Sequence, residues 1–153
     1  MTRFGIILIV LAVACLAGSP LRTEAQAEVA DIGRVKRATG EAFVERNGTR
    51  LPAEPGLILT VQDVLVTGPD GGVSVTFIDN SRFSAGPDSR VSLNEFEFNA
   101  TTQEGKIELG IQRGSIAVIS GQISKKKRDA MKVRTPTSVL GVRGTRFVVE
   151  VKG

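Results

Sequence analysis

An all-β fold is predicted from three observations. Apolar residues alternate at period two in short runs, turn-forming residues separate those runs, and helical periodicity is nearly absent after position 30. The alternating runs are Val73, Val75 and Phe77; Val91 and Leu93; Ile107, Leu109 and Ile111; and Phe147, Val149 and Val151. Between them lie Asn47-Gly48, Gly68-Pro69-Asp70-Gly71-Gly72, Asp79-Asn80-Ser81, Gly86-Pro87-Asp88, Gly105 and Gly121. Short strands joined by such turns build a β-sandwich or barrel. The chain has 153 residues, 41% hydrophobic and 24% charged, which is the length and balance of one globular domain.

The first element stands outside that domain. Met1-Thr2-Arg3 precedes an uncharged run from Phe4 to Ala17, followed by Gly18-Ser19-Pro20 and by Ala25-Gln26-Ala27. These are the three parts of a cleaved secretory signal peptide, and the run is shorter than the roughly 20 residues that span a bilayer. The expected division is therefore a signal peptide over 1–27 and a β-domain over 28–153. Two alternatives tether the same domain to a membrane: an uncleaved anchor, or lipidation at Cys15. The residues before Cys15, Ala12-Val13-Ala14, lack the Leu usual at the first of them. Cleavage after Ala27 removes the only Cys, and a secreted domain without Cys fits a bacterial periplasmic or secreted setting better than a disulfide-stapled extracellular module. The sequons at Asn47 and Asn99 then have no glycosylation role.

Within the domain, the apolar phase moves from Val91 and Leu93 to Phe96 and Phe98, so the strand must bulge or turn near Asn94-Glu95. Six of the seven Phe, all but Phe4, are expected in the core. No helix is required after the signal peptide.

The inventory excludes most chemistry. There is no His, no Trp and no Tyr, so no Ser-His-Asp triad, Cys/His dyad or His-containing zinc site can form. Glu95 and Glu97 on one strand face are the sole hint of a paired-carboxylate enzyme, and the aspartates of Asp70-Gly71-Gly72 and Asp79-Asn80-Ser81 suit β-turns rather than calcium. The expectation is a non-enzyme with no catalytic residue, metal or cofactor.

Charge gives the clearest sign of a partner. Residues 28–112 carry 8 basic and 13 acidic side chains, whereas 113–153 carry 10 basic and 2 acidic. Four of those cations form the run Lys125-Lys126-Lys127-Arg128, expected in a loop between strands. It is either a solvated hairpin tip that protects an edge or an electrostatic contact for acidic lipid, polymer or protein. Nucleic acid is disfavoured, since no Trp, Tyr or His is present to stack bases.

The densest cluster of unusual residues is Thr135-Pro136-Thr137-Ser138-Val139-Leu140-Gly141-Val142-Arg143-Gly144-Thr145-Arg146-Phe147. Thr135-Pro136 forces an extended or turning backbone, Gly141 and Gly144 allow positive φ or close approach, and Arg143 is either a surface anion hook or a buried guanidinium satisfying loop carbonyls. This TP-x(4)-GVRGT-x-F pattern resembles the end of the FecR-type periplasmic domain. In the same order come a strand pair at Gly33–Val44, a D-x-(hydrophobic)-x-TG element at Asp63–Gly68 with Thr67 and Gly68, and a hairpin over Val73–Ser81 with Asp79 and Ser81. Segments Pro87–Leu93 and Ile111–Ile116 complete the resemblance, which spans roughly Ile32 to Val151.

The resemblance implies a single jelly-roll-like β-sandwich in the bacterial periplasm, in a family whose well-known members relay siderophore-receptor signals to an anti-sigma segment. It also implies that Thr67, Gly68, Asp79, Ser81, Thr135, Pro136, Gly141, Val142, Arg143, Gly144, Thr145 and Phe147 are motif residues with a structural role. The present sequence differs from that plan: it has no cytoplasmic N-terminal segment or transmembrane helix, and it ends two residues past Val151. The main functional expectation is therefore a protein-interaction module in the envelope. Its binding residues would be Lys125, Lys126, Lys127 and Arg128, with Arg143 and Arg146 nearby, and its partner an unidentified envelope protein. The alternatives are a domain for an acidic surface polymer, or a subunit that self-associates by strand addition. The sequence leaves the oligomeric state open.

Overall fold

A computed structural model describes residues 30–127, 129–143 and 146–152. The expected signal peptide, Arg128, Gly144 and Thr145 lie outside the described residues. In chain order the elements are β1 (Gly33–Thr39), β2 (Ala42–Arg46), β3 (Thr49–Pro52), β4 (Ile58–Leu59), β5 (Val64–Thr67), β6 (Gly72–Phe77) and β7 (Arg82–Ala85). They continue with β8 (Arg90–Phe98), β9 (Gly105–Ile119), α1 (Gln122–Lys126), β10 (Met131–Arg134), β11 (Val139–Val142) and β12 (Arg146–Val151). The all-β class is as predicted.

The strands form two layers that share β9. The front sheet has the order β4-β1-β6-β7-β9-β12, and the back sheet β3-β2-β5-β8-β9-β10-β11. The first part of β9 pairs with β8 and β10, whereas its last six residues pair with β7 and β12. The turnover falls at Gly114, whose φ of +91° is costly for any residue with a Cβ. A Cβ there would also collide with Ser89 Oγ, so glycine is required at this corner. Ser89 Oγ accepts from Ser115 N–H at 3.1 Å and donates to Ser115 O at 3.2 Å, pinning the bend from the side.

Strand alternation places one face of each sheet in a common core. Val73, Val75, Phe77 and Phe83 from the front sheet join Val44, Leu65, Val91, Leu93, Ile107 and Leu109 from the back sheet. Phe77 and Phe96 stack across the two layers with ring centroids 5.4 Å apart. The expected irregularity near Asn94 is present, as the β8–β9 register shifts between Leu93 and Glu95. That bulge returns Phe96 and Phe98 to the core side, where both are half-buried.

Two expectations are corrected. Phe43 is not a core residue: Ala42 and Val44 take the inward phase of β2, and Phe43 lies outside under the Arg50 guanidinium, 5.1 Å from its ring. A helix does follow position 30. α1 is a single turn anchored by fully buried Ile123, and β10 runs parallel to β9. A parallel pair needs a crossover, so the described residues 120–127 and 129–130 belong to a crossover connection rather than a hairpin tip.

Candidate functional site

Several of the motif residues form internal struts of this fold. Buried Asp79 accepts Ser81 N–H at 2.9 Å and Ser81 Oγ–H at 2.7 Å, and lies 3.4 Å from Ile123 N. Ser81 Oγ in turn accepts Gly121 N–H at 2.9 Å, and Asp79 O accepts Gln122 N–H at 2.9 Å. The β6–β7 turn thus supplies partners for the backbone that enters α1, a residue separation of 40 or more. Short Asp and Ser side chains suit this role because their oxygens stand in for backbone acceptors.

The other motifs act in the same way. Buried Thr67 Oγ1 donates to Gly86 O at 2.7 Å and accepts Ser89 N–H at 2.9 Å, while Gly68 O accepts from Gly71 and Asp88. Thr135 closes the β10–β11 hairpin: its N–H donates to Ser138 O at 2.8 Å, its Oγ1 accepts Ser138 N–H at 3.0 Å, and Pro136 sits in the turn between them. Gly141 leaves room for Asp129, whose Oδ1 would lie 2.6 Å from a Cβ at that position. Val142 and Phe147 pack partly buried against the core.

Asp63, which opens the motif ending at Gly68, is fully buried and holds Arg46 through two bonds of 2.8 and 2.7 Å and Thr60 N–H at 2.9 Å. The carboxylate hydrogen bond raises the Arg46 pKa above its ordinary value. The sequence reading passed over Arg46, since nothing in one strand signals a partner 17 residues away.

The basic residues are exposed around the crossover between β9 and β10. Lys125 and Lys126 form the last turn of α1 and Lys127 follows it, all exposed. Register brings the two arginines to the ends of the crossover: Arg146 is opposite Ile119, where β9 ends, and Val142, just before Arg143, is opposite Met131, where β10 begins. Arg143 is exposed, so the buried-guanidinium alternative does not apply.

A further feature went unread. The outer face of the front sheet carries an in-register row, Arg34, Thr76, Arg82, Ile119 and Arg146, with arginines on every second strand. The next row is Arg37, Ser74, Ser84, Ala117 and Val148, in which Ser74 and Ser84 share a 2.9 Å hydrogen bond. The periodicity that betrays inward residues says nothing about which outward ones align across strands.

An open groove of about 1110 Å³ flanks the crossover, with Lys127 and Lys132 facing Glu95, Glu97, Glu104 and Asp129. Lys106 bridges to Glu95 at 3.8 Å, and Glu97 is its cross-strand partner, so one lysine stands beside both carboxylates of this pair. On the same strand Glu108 binds Arg134 at 2.6 Å, and that hydrogen bond lowers the Glu108 pKa.

Among the described residues, no helix is long and apolar enough to cross a membrane. No curated protein and no solved structure matches the chain. A family model described as FecR protein matches residues 63–153, from the buried Asp63 to the last residue, leaving β1 to β4 outside the match. The match covers more than half of the sequence and every strut from Thr67 to Phe147, and the chain belongs to the FecR protein family.

Proposed function

We propose that this protein is a non-catalytic interaction module of the bacterial envelope, released behind a signal peptide over 1–27 and docking through its basic C-terminal face on an acidic surface of an envelope protein. The observation that supports this reading most is the gathering of exposed Lys125, Lys126, Arg143 and Arg146 around one crossover, with Arg82 two strands from Arg146. Clustered cations attached to a rigid sheet raise the local concentration of an acidic partner and orient it, and they do so most at low salt. The struts hold this face in place without taking part in contact. That division of labour matches the burial of Thr67, Asp79 and Ser81 and the exposure of Lys125, Lys126, Arg143 and Arg146.

The test is a crosslinking pull-down with the protein from envelope extract at low and high salt, beside a variant with Lys125, Lys126 and Lys127 each changed to Ser. The reading predicts one specific partner with an acidic face, released by salt and lost or weakened in the variant. A partner retained equally by both proteins at high salt would overturn it. Capture of acidic glycan without protein would instead favour polymer binding.

A further inference from the structure

The two sheets end differently at their two sides. At one side β3 ends in Pro52, and β4 has two residues preceded by Pro55 and Gly56, so both edges are too short or too interrupted to accept another strand. At the other side the front sheet ends in β12, which has six residues and no proline. Among the described residues β12 pairs with β9 alone, leaving one edge of its backbone open.

That edge is also apolar where it should not be. Phe147, Val149 and Val151 take the inward phase and are only half-buried, and Leu140 on β11 remains 40% exposed beside Val149 and Val151 at the mouth between the sheets. Val148 takes the outward phase and is 70% exposed, the most exposed large apolar side chain among the described residues. An exposed valine at the centre of a free edge strand normally marks a surface that becomes covered.

The sequence of β12 specifies what covers it. When an antiparallel strand pairs with its own copy about a two-fold axis through Val148, position numbers of partners sum to a constant. Arg146 then meets Glu150 of the second copy, Phe147 meets Val149, and Val148 meets Val148, with each reciprocal pair made twice. All pairs keep the same face, outward with outward and inward with inward. Charges of opposite sign are opposed on the outer face, apolar side chains on the inner face, and the exposed valines meet on the axis. The neighbouring registers that also keep face with face put Arg146 against Val148 (axis at Phe147) or Arg146 against Lys152 and Val148 against Glu150 (axis at Val149), so of the three only the axis at Val148 opposes charges of opposite sign.

We propose that β12 is a homodimerisation edge, joining two copies of this chain about a two-fold axis at Val148 into one continuous front sheet. The interface is closed, since among the described residues each copy offers a single such six-residue edge; it leaves Lys125, Lys126 and Arg143 outside the strand pairing, whereas Arg146 of the basic face is taken up by Glu150 of the second copy. The proposal stands independently of any acidic partner.

Two single variants, Arg146→Glu and Glu150→Arg, test it through sedimentation or native mass over a hundredfold concentration range. Wild type should rise from monomer to dimer mass and no further. Each variant alone opposes like charges twice and should remain monomeric over the same range. An equimolar mixture should recover dimer mass as a heterodimer, because positions 146 and 150 then face each other across the axis with opposite charges in both reciprocal pairs. That recovery also shows both variants to be folded. In wild type, amide exchange of residues 146–151 should slow as concentration rises. A wild-type mass that stays monomeric throughout, or dimers indifferent to both variants, or assemblies larger than two, would each overturn the proposal, whatever the pull-down returns.

Discussion

Replacing Asp79 with Ala should unfasten the crossover from the sheet, and the structure gives the size of the effect. The substitution removes the acceptor for Ser81 N–H and Ser81 Oγ–H at 2.9 and 2.7 Å and the weaker contact with Ile123 N at 3.4 Å. Asp79 and Ser81 are both fully buried, so water cannot replace these partners without local opening. Each buried donor left unsatisfied costs about 1–3 kcal/mol, and the two short bonds alone therefore total about 2–6 kcal/mol. Relief of the buried carboxylate's own desolvation offsets part of that, giving a net loss of about 2–4 kcal/mol. A domain with about 5–15 kcal/mol of stability survives such a loss with a lowered transition midpoint. Urea unfolding followed by circular dichroism measures the loss, and amide exchange places it: the amides of Gly121 to Ile123 should lose protection more than those of β2 and β5. Asp79→Asn, which keeps one acceptor oxygen, should fall between. An Asp79→Ala protein within about 0.5 kcal/mol of wild type, the range of an inconsequential surface change, with unchanged exchange at Gly121, would refute the strut assignment.

Arg46→Ala leaves the buried Asp63 carboxylate with the Thr60 N–H but no counter-charge, and should cost about 3–5 kcal/mol in urea unfolding. Gly114→Ala meets both a positive φ and the Ser89 side chain, so it should destabilise by more than about 1 kcal/mol and shift the amide signals of Ser89 and Ser115 together. Acid should also weaken the fold. Hydrogen bonds from Arg90 and Arg50 hold the Glu45 carboxyl below its ordinary value of 4.5, and the bond from Arg134 does the same for Glu108. Carboxyls depressed in the folded state add stability that is present above the unfolded value and lost as pH falls through the folded one. Thermal midpoints should therefore be flat near neutrality and fall below about pH 4.5, with a shallower fall in a Glu45→Gln, Glu108→Gln protein.

How much of this was legible in the sequence depended on distance along the chain. Alternation identified β6, β8, β9 and β12 because each residue's face follows from its immediate neighbours, and the phase change at Asn94 identified the bulge for the same reason. Phe43 was misassigned because Ala42, Phe43 and Val44 are all apolar, so alternation does not choose a phase. The five-residue α1 shows no helical period, with Ile123 as its only large apolar residue. The passage of β9 from one sheet to the other leaves the same kind of trace as the bulge at Asn94, since the apolar phase moves from Ile107, Leu109 and Ile111 to Ile116 and Val118 across Gly114, whereas the parallel β9–β10 pair was hidden by the lack of any long helix to signal a crossover. The C-terminal motif was readable as structural, yet its apolar surplus was not weighed. Val148 on the outward phase of β12 and the adjacent Val139-Leu140 were the signals that this edge is uncovered.

Docking through a basic face braced by buried Thr67, Asp79 and Ser81 is tested by the salt dependence of binding to the captured partner. Wild type and the Lys125, Lys126, Lys127 to Ser variant would be compared for affinity between about 50 and 300 mM salt, a range over which surface charge is progressively screened over about 14 to 6 Å. Wild type should lose affinity steeply with salt, the variant should show a shallower slope and weaker low-salt binding, and both should share the same unfolding midpoint. Parallel slopes and equal affinities in two equally stable proteins would contradict docking through the basic face.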